Sequence, residues 1–515
     1  MEITTARKWS TFAVCAVIAL VPNIDLTALN QAVPKLSADL RPSATQILWI
    51  ADAYGFALAG LLITMGVLGD RLGHRRVLLG GVALFAAASA ATAYAPSAEW
   101  LIAARVVLGV AGATLMPSGL SLVRRVFVQP KERTMAVGLL MGVGGLAVGL
   151  GPVVGGALLN HFWWGSVFLI NVPVMLLALV AGLLVLPESR TPNPGRLDVP
   201  SVPLSVAGVL GPVYAIKETA AHGIAHPRIG VAAAVGLVAL VWFVRRQPTV
   251  AHPLIDMRLF RRPAFTGAIV TNLFAMFALV AQSLIFSILF QMVYGWSPLR
   301  SGLAGLPGAV AAMVGGAAVA PPLITALGRA RTVAVGLAVA AAAFASFTLV
   351  GADTPYWTLV LPMAMSGLGM GMAMTVTGDT VLASVPRERS GAASAIAETA
   401  TELGGALGMA ILGSVLTAVY RDRITVPDGV AGSAAHAVRD SLPAAVQVAG
   451  SLPARLGRRV VDLARAAYLD GMHAALLVSA GFAALVAVAA LVTLRSVPKV
   501  IEEDAGTEPE LETAH

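Results

Sequence analysis

Residues 66–76 read Gly66-Val-Leu-Gly-Asp70-Arg71-Leu-Gly73-His74-Arg75-Arg76. Charge is packed here between two long apolar stretches. The glycines permit a tight turn and close approach of neighbouring helices. Asp70, Arg71, Arg75 and Arg76 can form charge-assisted bonds to a helix end or a carboxylate brought alongside. A plain basic loop that merely fixes orientation would not need this spacing of glycines around an acid. Outward from this run, apolar windows recur from Thr11 to Leu494, each long enough to cross a hydrocarbon core of about 30 Å. The chain has 515 residues, of which 57% are hydrophobic and only 12% charged, with a mean hydropathy of +0.81. A soluble domain of this length would need more charge to solvate its surface. The expected class is an all-α polytopic membrane protein, with fourteen spans starting near residues 10, 46, 76, 101, 134, 166, 200, 228, 263, 301, 330, 357, 390 and 471. The first window is long, carries Asp25 and lacks a small-residue cleavage site, so it reads as a span rather than a cleaved signal.

The net charge of +8 does not point to nucleic acid, because the basic residues are scattered through short loops. Alternate loops hold most of them, whereas the short loops on the other side hold only Lys35, Arg41, Lys217, Arg228 and Arg300. The positive-inside rule then puts both termini in the cytoplasm. A longer loop, 420–470, is expected outside, with amphipathic helices over Ala434–Gly450 and Leu452–Ala467. Its arginines do not conflict, since long loops translocate regardless of charge. The proline-rich stretch Pro187–Pro200 reads as a linker, and the acidic tail 501–515 as disordered. Cys15, the single cysteine, excludes an intramolecular disulfide and a cysteine metal site. No Walker run or His-Glu-x-x-His motif occurs, so neither an ATP motor, an enzyme nor a bound metal is expected.

Five acids interrupt the apolar stretches: Asp25, Asp52, Asp379, Glu398 and Glu402. Placing one charge in the bilayer centre costs about 2.5 kcal/mol or more, so each is a functional candidate. Glu398 and Glu402 are four residues apart and share a helix face. A desolvated carboxylate takes up a proton more readily, and a lipophilic cation competing for it makes an exchange device. Asp52 falls where its helix begins, so capping is its competing role. Asp25 and Asp52 are expected as one cluster, and Asp379, Glu398 and Glu402 as another. Tyr54, Met116, Phe286, Phe290, Met370 and Met374 could line an adaptable apolar pocket, although most such residues are ordinary packing.

The 66–76 run resembles the signature loop of the major facilitator superfamily, G-x-L-x-D-R-x-G-R-[RK], with His74 where arginine is common. In span four, Arg105-Val-Val-Leu-Gly109-Val-Ala-Gly112 resembles the motif whose buried arginine is linked to proton coupling; a purely structural ion pair is its alternative. Span five runs from Gly138 to Gly156 and ends Gly149-Leu-Gly151-Pro152-Val-Val-Gly155-Gly156, which resembles the antiporter motif of drug exporters, with Ala147 where glycine is frequent. Asp25-Leu-Thr-Ala-Leu-Asn30 and Trp49-Ile-Ala-Asp52-Ala-Tyr54 resemble the fourteen-spanning drug:proton antiporters, closest to the quaternary-ammonium exporters.

That resemblance implies a major facilitator fold of 6 + 2 + 6 helices. Residues 1–190 would form one bundle, 191–250 two inserted spans, and 251–500 the second bundle. It implies a gating loop (Gly66, Asp70, Arg71, Gly73, Arg75, Arg76) and proton- or cation-handling residues Asp25, Asp52, Asp379, Glu398, Glu402 and Arg105. Its implied partners are protons, lipophilic cations and lipid, with no cofactor beyond the proton gradient, in a monomer of the plasma membrane. Ala312 stands where relatives that accept divalent cations can carry an aspartate, which favours monovalent substrates. A dedicated exporter of one endogenous antibiotic or metabolite is the nearest alternative. Uptake is disfavoured by the Gly151-Pro152 motif, and a non-transporting scaffold or sensor by the buried acids.

Overall fold

The structure, a computed structural model, describes residues 5–42, 44–187, 198–222, 227–250, 253–385, 390–430 and 432–497. The described chain is helical, and its long helices form two groups. The first comprises α1 (Thr5–Leu40), α2 (Ala44–Leu72), α3 (His74–Ala93), α4 (Ala98–Val126), α5 (Pro130–His161) and α6 (Asn171–Val185). The hairpin α7 (Ser201–His222) and α8 (Pro227–Arg246) follows. The second group holds α9 (Pro263–Ile288), the broken helix α10 (Leu299–Leu327), α11 (Arg329–Ser346), α12 (Tyr356–Ala383) and α13 (Ser390–Arg423). Two short helices, α14 (Gly432–Asp440) and α15 (Leu442–Ala449), lead to α16 (Ala454–Thr493).

Within the first group α2 packs on α4, α1 on α5 and α3 on α6; within the second α9 packs on α13, α11 on α12 and on α16. The groups meet along α2 with α13 and α5 with α10, and α7 lies against both α2 and α13. Small residues permit these seams. A Cβ on Gly66 would collide with the Gly391 carbonyl, and one on Gly138 would stand 2.6 Å from the Gly316 backbone. In a membrane, where no solvent drives helices together, such backbone proximity maximises dispersion contact. Gly73, at φ 98°, makes the break between α2 and α3, a backbone conformation that side chains resist. Gly328, at φ 87°, repeats that break between α10 and α11.

Twelve helices among the described residues are long and apolar enough to cross a membrane. The sequence expectation of fourteen includes α5 and α7, which are not among the twelve. The stretch Leu452–Ala467 also departs from expectation: it is not a separate amphipathic helix but the start of α16, whose 40 residues run unbroken. At 1.5 Å per residue α16 is about 60 Å long, twice what a hydrocarbon core requires. No proline falls between Ala454 and Asp470, so nothing stops the helix from running on. Its arginine-rich start is held by Arg465, which donates to the Met292 carbonyl at 3.1 Å. The linker residues 188–197 and the acidic tail 498–515 lie outside the described residues.

Candidate functional site

Asp25 sits on α1 with no exposure. Arg105 of α4 donates to it through Nη1 at 2.7 Å, and Asn171 of α6 through Nδ2 at 2.8 Å. Arg105 is equally buried, and its Nε donates to the Ile50 carbonyl at 3.1 Å. Both carboxylate oxygens are therefore occupied, in the geometry that makes a buried ion pair tolerable. The guanidinium also lies 5.0 Å from the ring centre of Tyr54 and 5.8 Å from that of Phe168.

Asp379 is also fully buried, but on α12 near its end. Arg133 at the start of α5 donates to Oδ1 at 2.7 Å; Arg329 at the start of α11 donates to Oδ2 at 2.6 Å, and Thr134 adds a bond at 3.1 Å. This overturns the expected grouping of Asp379 with Glu398 and Glu402 as cavity acids. Its charge is committed to two arginines, one from each helix group.

Glu398 and Glu402 differ. They lie about 12 Å and about 18 Å along α13 from its start, at the helical rise per residue, and both are partly exposed. Glu398 makes no hydrogen bond or ion pair to another described residue, and the charge bearing on it is that of Glu402. Tyr54, 3% exposed on α2, lies within electrostatic range of Asp25, Arg105, Glu402 and Glu398. Four of the five acids thus sort into a clamped acid (Asp25), a partly exposed pair (Glu398, Glu402) and an ion triad at Asp379. For Asp52 the helix position alone is described. α2 starts at Ala44, so Asp52 is two turns in, too deep to cap the helix; its side chain lies outside the described residues.

The signature loop reaches across the groups. Asp70 accepts from the backbone N–H of Gly391 at 2.8 Å and of Ala392 at 2.9 Å, in the first turn of α13, and contacts His74 at 3.0 Å. A carboxylate at a helix amino terminus is favoured by the unpaired N–H groups and the dipole. Arg124 of α4 donates to the Val385 carbonyl at 2.9 Å and Arg262 to that of Ser384 at 3.1 Å. With the Asp379 triad, the bonds of Asp70 and Arg124 tie the two groups together at one end of the bundle, the end where α1 begins and α16 finishes, while that of Arg262 stays within the second group. Arg75 instead anchors within its own group, on the Leu183 carbonyl at 2.7 Å. Arg71 and Arg76 flank it, partly exposed and exposed.

The glycines of span five divide their work. Gly138 faces α10, while Gly151 and Gly155 face α1: a Cβ on Gly151 would overlap Thr27, and one on Gly155 would stand 3.2 Å from the Ala28 Cβ. Gly156 meets nothing within 4 Å. The Pro152 side chain lies outside the described residues.

Sequence reasoning treated Arg124, Arg133 and Arg329 only as loop charges, and passed over Asn171. One signal was available: Pro130-Lys-Glu-Arg133 recurs as Pro386-Arg-Glu-Arg389, so Arg133 opens α5 at the place where the second group repeats the motif. No group of three or more His, Cys, Asp or Glu suited to a metal occurs among the described residues.

Apolar helices in two interlocked groups, carboxylates at their middle and ion-paired seams at one end define a multi-pass membrane transporter rather than an enzyme. The profile of the Major Facilitator Superfamily matches residues 15–409, and the chain belongs to that family. It is 44% identical over 476 residues to the multidrug efflux pump LfrA of Mycolicibacterium smegmatis, covering 91% of this chain and 93% of that one. It is 34% identical over 475 residues to the methyl viologen resistance protein SmvA of Salmonella typhimurium, covering 92% and 96%. Among solved structures, the human organic anion transporter MFSD10 (TETRAN) shares the fold, with a TM-score of 0.59 at 14% identity over 94% of this chain and 99% of that one.

Proposed function

We propose that this chain is a proton-coupled antiporter that exports lipophilic, mainly monovalent organic cations, such as quaternary ammonium compounds and dyes, across the plasma membrane. The observation that carries this reading is Glu398. It is the carboxylate inside a span that is partly exposed and has no hydrogen-bond or ion-pair partner among the described residues. Glu402, one turn further on, repels it; a proton or a bound cation relieves that repulsion, so the two ligands compete for one site. Asp25, clamped by Arg105 and Asn171, would respond to that exchange rather than bind substrate.

The names of the relatives support drug export, and methyl viologen is itself an organic cation. The preference for monovalent cations rests on Ala312, where an acid would supply a second charge. In this reading α5 and α7 also cross, giving fourteen spans as 6 + 2 + 6. The basic end, with both termini, faces the cytoplasm, and residues 420–470 lie outside. The bonds of Asp70, Asp379 and Arg124 then form a closed cytoplasmic gate, broken and remade as the two bundles rock around the midplane. The chain functions as a monomer, driven by the proton gradient without a cofactor.

The deciding experiment is ethidium movement in proteoliposomes under an imposed pH gradient. The intact chain should move the dye only with the gradient, and Glu398→Gln should lose that dependence. Dye movement that ignores the gradient in the intact chain would sink the antiport reading.

A further inference from the structure

Three positions of α4, spaced along one face, converge on a single residue of α2. The Arg105 guanidinium lies 5.0 Å from the Tyr54 ring centre. A Cβ on Gly109 would collide with the Tyr54 carbonyl, and one on Gly112 would stand 2.9 Å from the Tyr54 hydroxyl oxygen and 3.1 Å from Leu58 Cδ1. The arginine and both glycines of this motif are therefore a cradle shaped to Tyr54. Tyr54 also falls within electrostatic range of Glu402 and Glu398. Arg105 has one further peculiarity: its Nη2 is buried with no hydrogen-bond partner among the described residues. A buried donor left unpaired is costly, so the guanidinium can donate to another carboxylate. α13, which carries the acidic pair, packs against both α2 and α4, and Tyr54 is a residue on which the guanidinium and both acids bear.

We propose that Tyr54 is a positioning residue that keeps Arg105 on Asp25 and off Glu398 and Glu402. The inference rests on the proposed function, because it explains how an accessible carboxylate pair stays available to protons and cations beside a buried arginine. The aromatic face holds the guanidinium by cation–π attraction, while contributing no charge that would compete with Asp25. Arg105 paired with Glu398 would occupy the very group that must exchange its ligand. The charged groups bearing on Tyr54 are Asp25 on α1, Arg105 on α4, and Glu398 and Glu402 on α13. Of the other helices against α13, α9 carries no ionisable residue. α12 brings Asp379, already held by two arginines, α7 brings Glu218, and α16 brings Asp470 and His473 toward its outer part.

Infrared titration of the full chain in lipid nanodiscs, with protons as the only ligand, tests this. The carboxylic-acid carbonyl band that vanishes in Glu398→Gln reports protonation of that residue. Tyr54→Phe keeps the ring and should titrate as the intact chain does. Tyr54→Leu should move the half-titration point down by at least about one pH unit, as Arg105 reaches the acids. Adding Arg105→Gln to Tyr54→Leu should restore it. Gly112→Ala, which pushes the ring without removing it, should shift the point in the same direction by less, and serves if Tyr54→Leu does not fold. An unmoved half-titration point in Tyr54→Leu or in Gly112→Ala overturns the proposal, as does a shift that survives Arg105→Gln. The absence of any Glu398-dependent band would instead remove the antiport reading beneath it.

Discussion

Asp25 and Glu398, alike in sequence as acids within apolar spans, do opposite things in the structure. Asp25 satisfies both oxygens with Arg105 and Asn171; Glu398 keeps its oxygens open. The distinction makes a divided prediction. Asp25→Asn leaves Arg105 as an uncompensated buried charge and should lower stability by about 3–5 kcal/mol, seen as a lower thermal midpoint of the detergent-purified protein. Glu398→Gln should leave that midpoint nearly unchanged while abolishing gradient-driven transport. Equal thermal losses in the two variants would show that Glu398 is structural too. Nothing local in the sequence separates the two acids, because the partners of Asp25 lie 80 and 146 positions away. What was legible at this scale was the cost of burial itself, which flagged every acid alike.

At the scale of helices, the seams matter most. Asp70 at the head of α13 and Asp379 between Arg133 and Arg329 are two latches at one end, one reaching out from each group. Replacing Asp70 with Asn and Asp379 with Asn together should open that end. Spin labels at Val128 and Arg258, both exposed, with Cys15→Ser to remove the single cysteine, should then report a longer distance distribution. A distribution identical to that of the parent would mean the latches do not hold the gate. The α7–α8 hairpin has its own clasp. Arg246 bonds Asp198 through Nε and Nη2 at 2.9 Å each, and Ser201 adds a further bond. The Arg246 bonds, then that of Ser201, hold the Asp198 carboxyl below the ordinary carboxylate range. A lowered folded value means the clasp contributes above the unfolded value of about 3.9 and is lost as pH falls through the folded one. Hydrogen exchange in Ser201–His222 should therefore accelerate on acidification only below about pH 4, and Asp198→Asn should erase that dependence.

The whole molecule was the most legible part, for a physical reason: a span must bury its backbone bonds internally over a fixed thickness, so length and apolarity alone reveal it. The glycines of Gly138–Gly156 likewise mark a helix surface built for close approach. The register of one group against the other was hidden, since Arg133 meets Asp379 across 246 positions and only the repeated Pro-x-Glu-Arg hints at it. The length of α16 was hidden too, because amphipathic and apolar stretches read as separate elements until no turn is found between them. Substrate valence belongs to this scale. Tetraphenylphosphonium, with one charge, should be moved faster than the doubly charged methyl viologen, and Ala312→Asp should narrow the gap; equal rates would remove the valence preference.

The central claim is that proton and organic cation compete for one carboxylate pair, and proton release on substrate binding measures this without any gradient. Tetraphenylphosphonium added to the purified protein in weakly buffered solution near neutral pH should release protons in proportion to the cation bound. In Glu398→Gln that release should fall to a small fraction. Binding of the cation by the intact chain with no proton release, or with the same release in Glu398→Gln, would contradict the account.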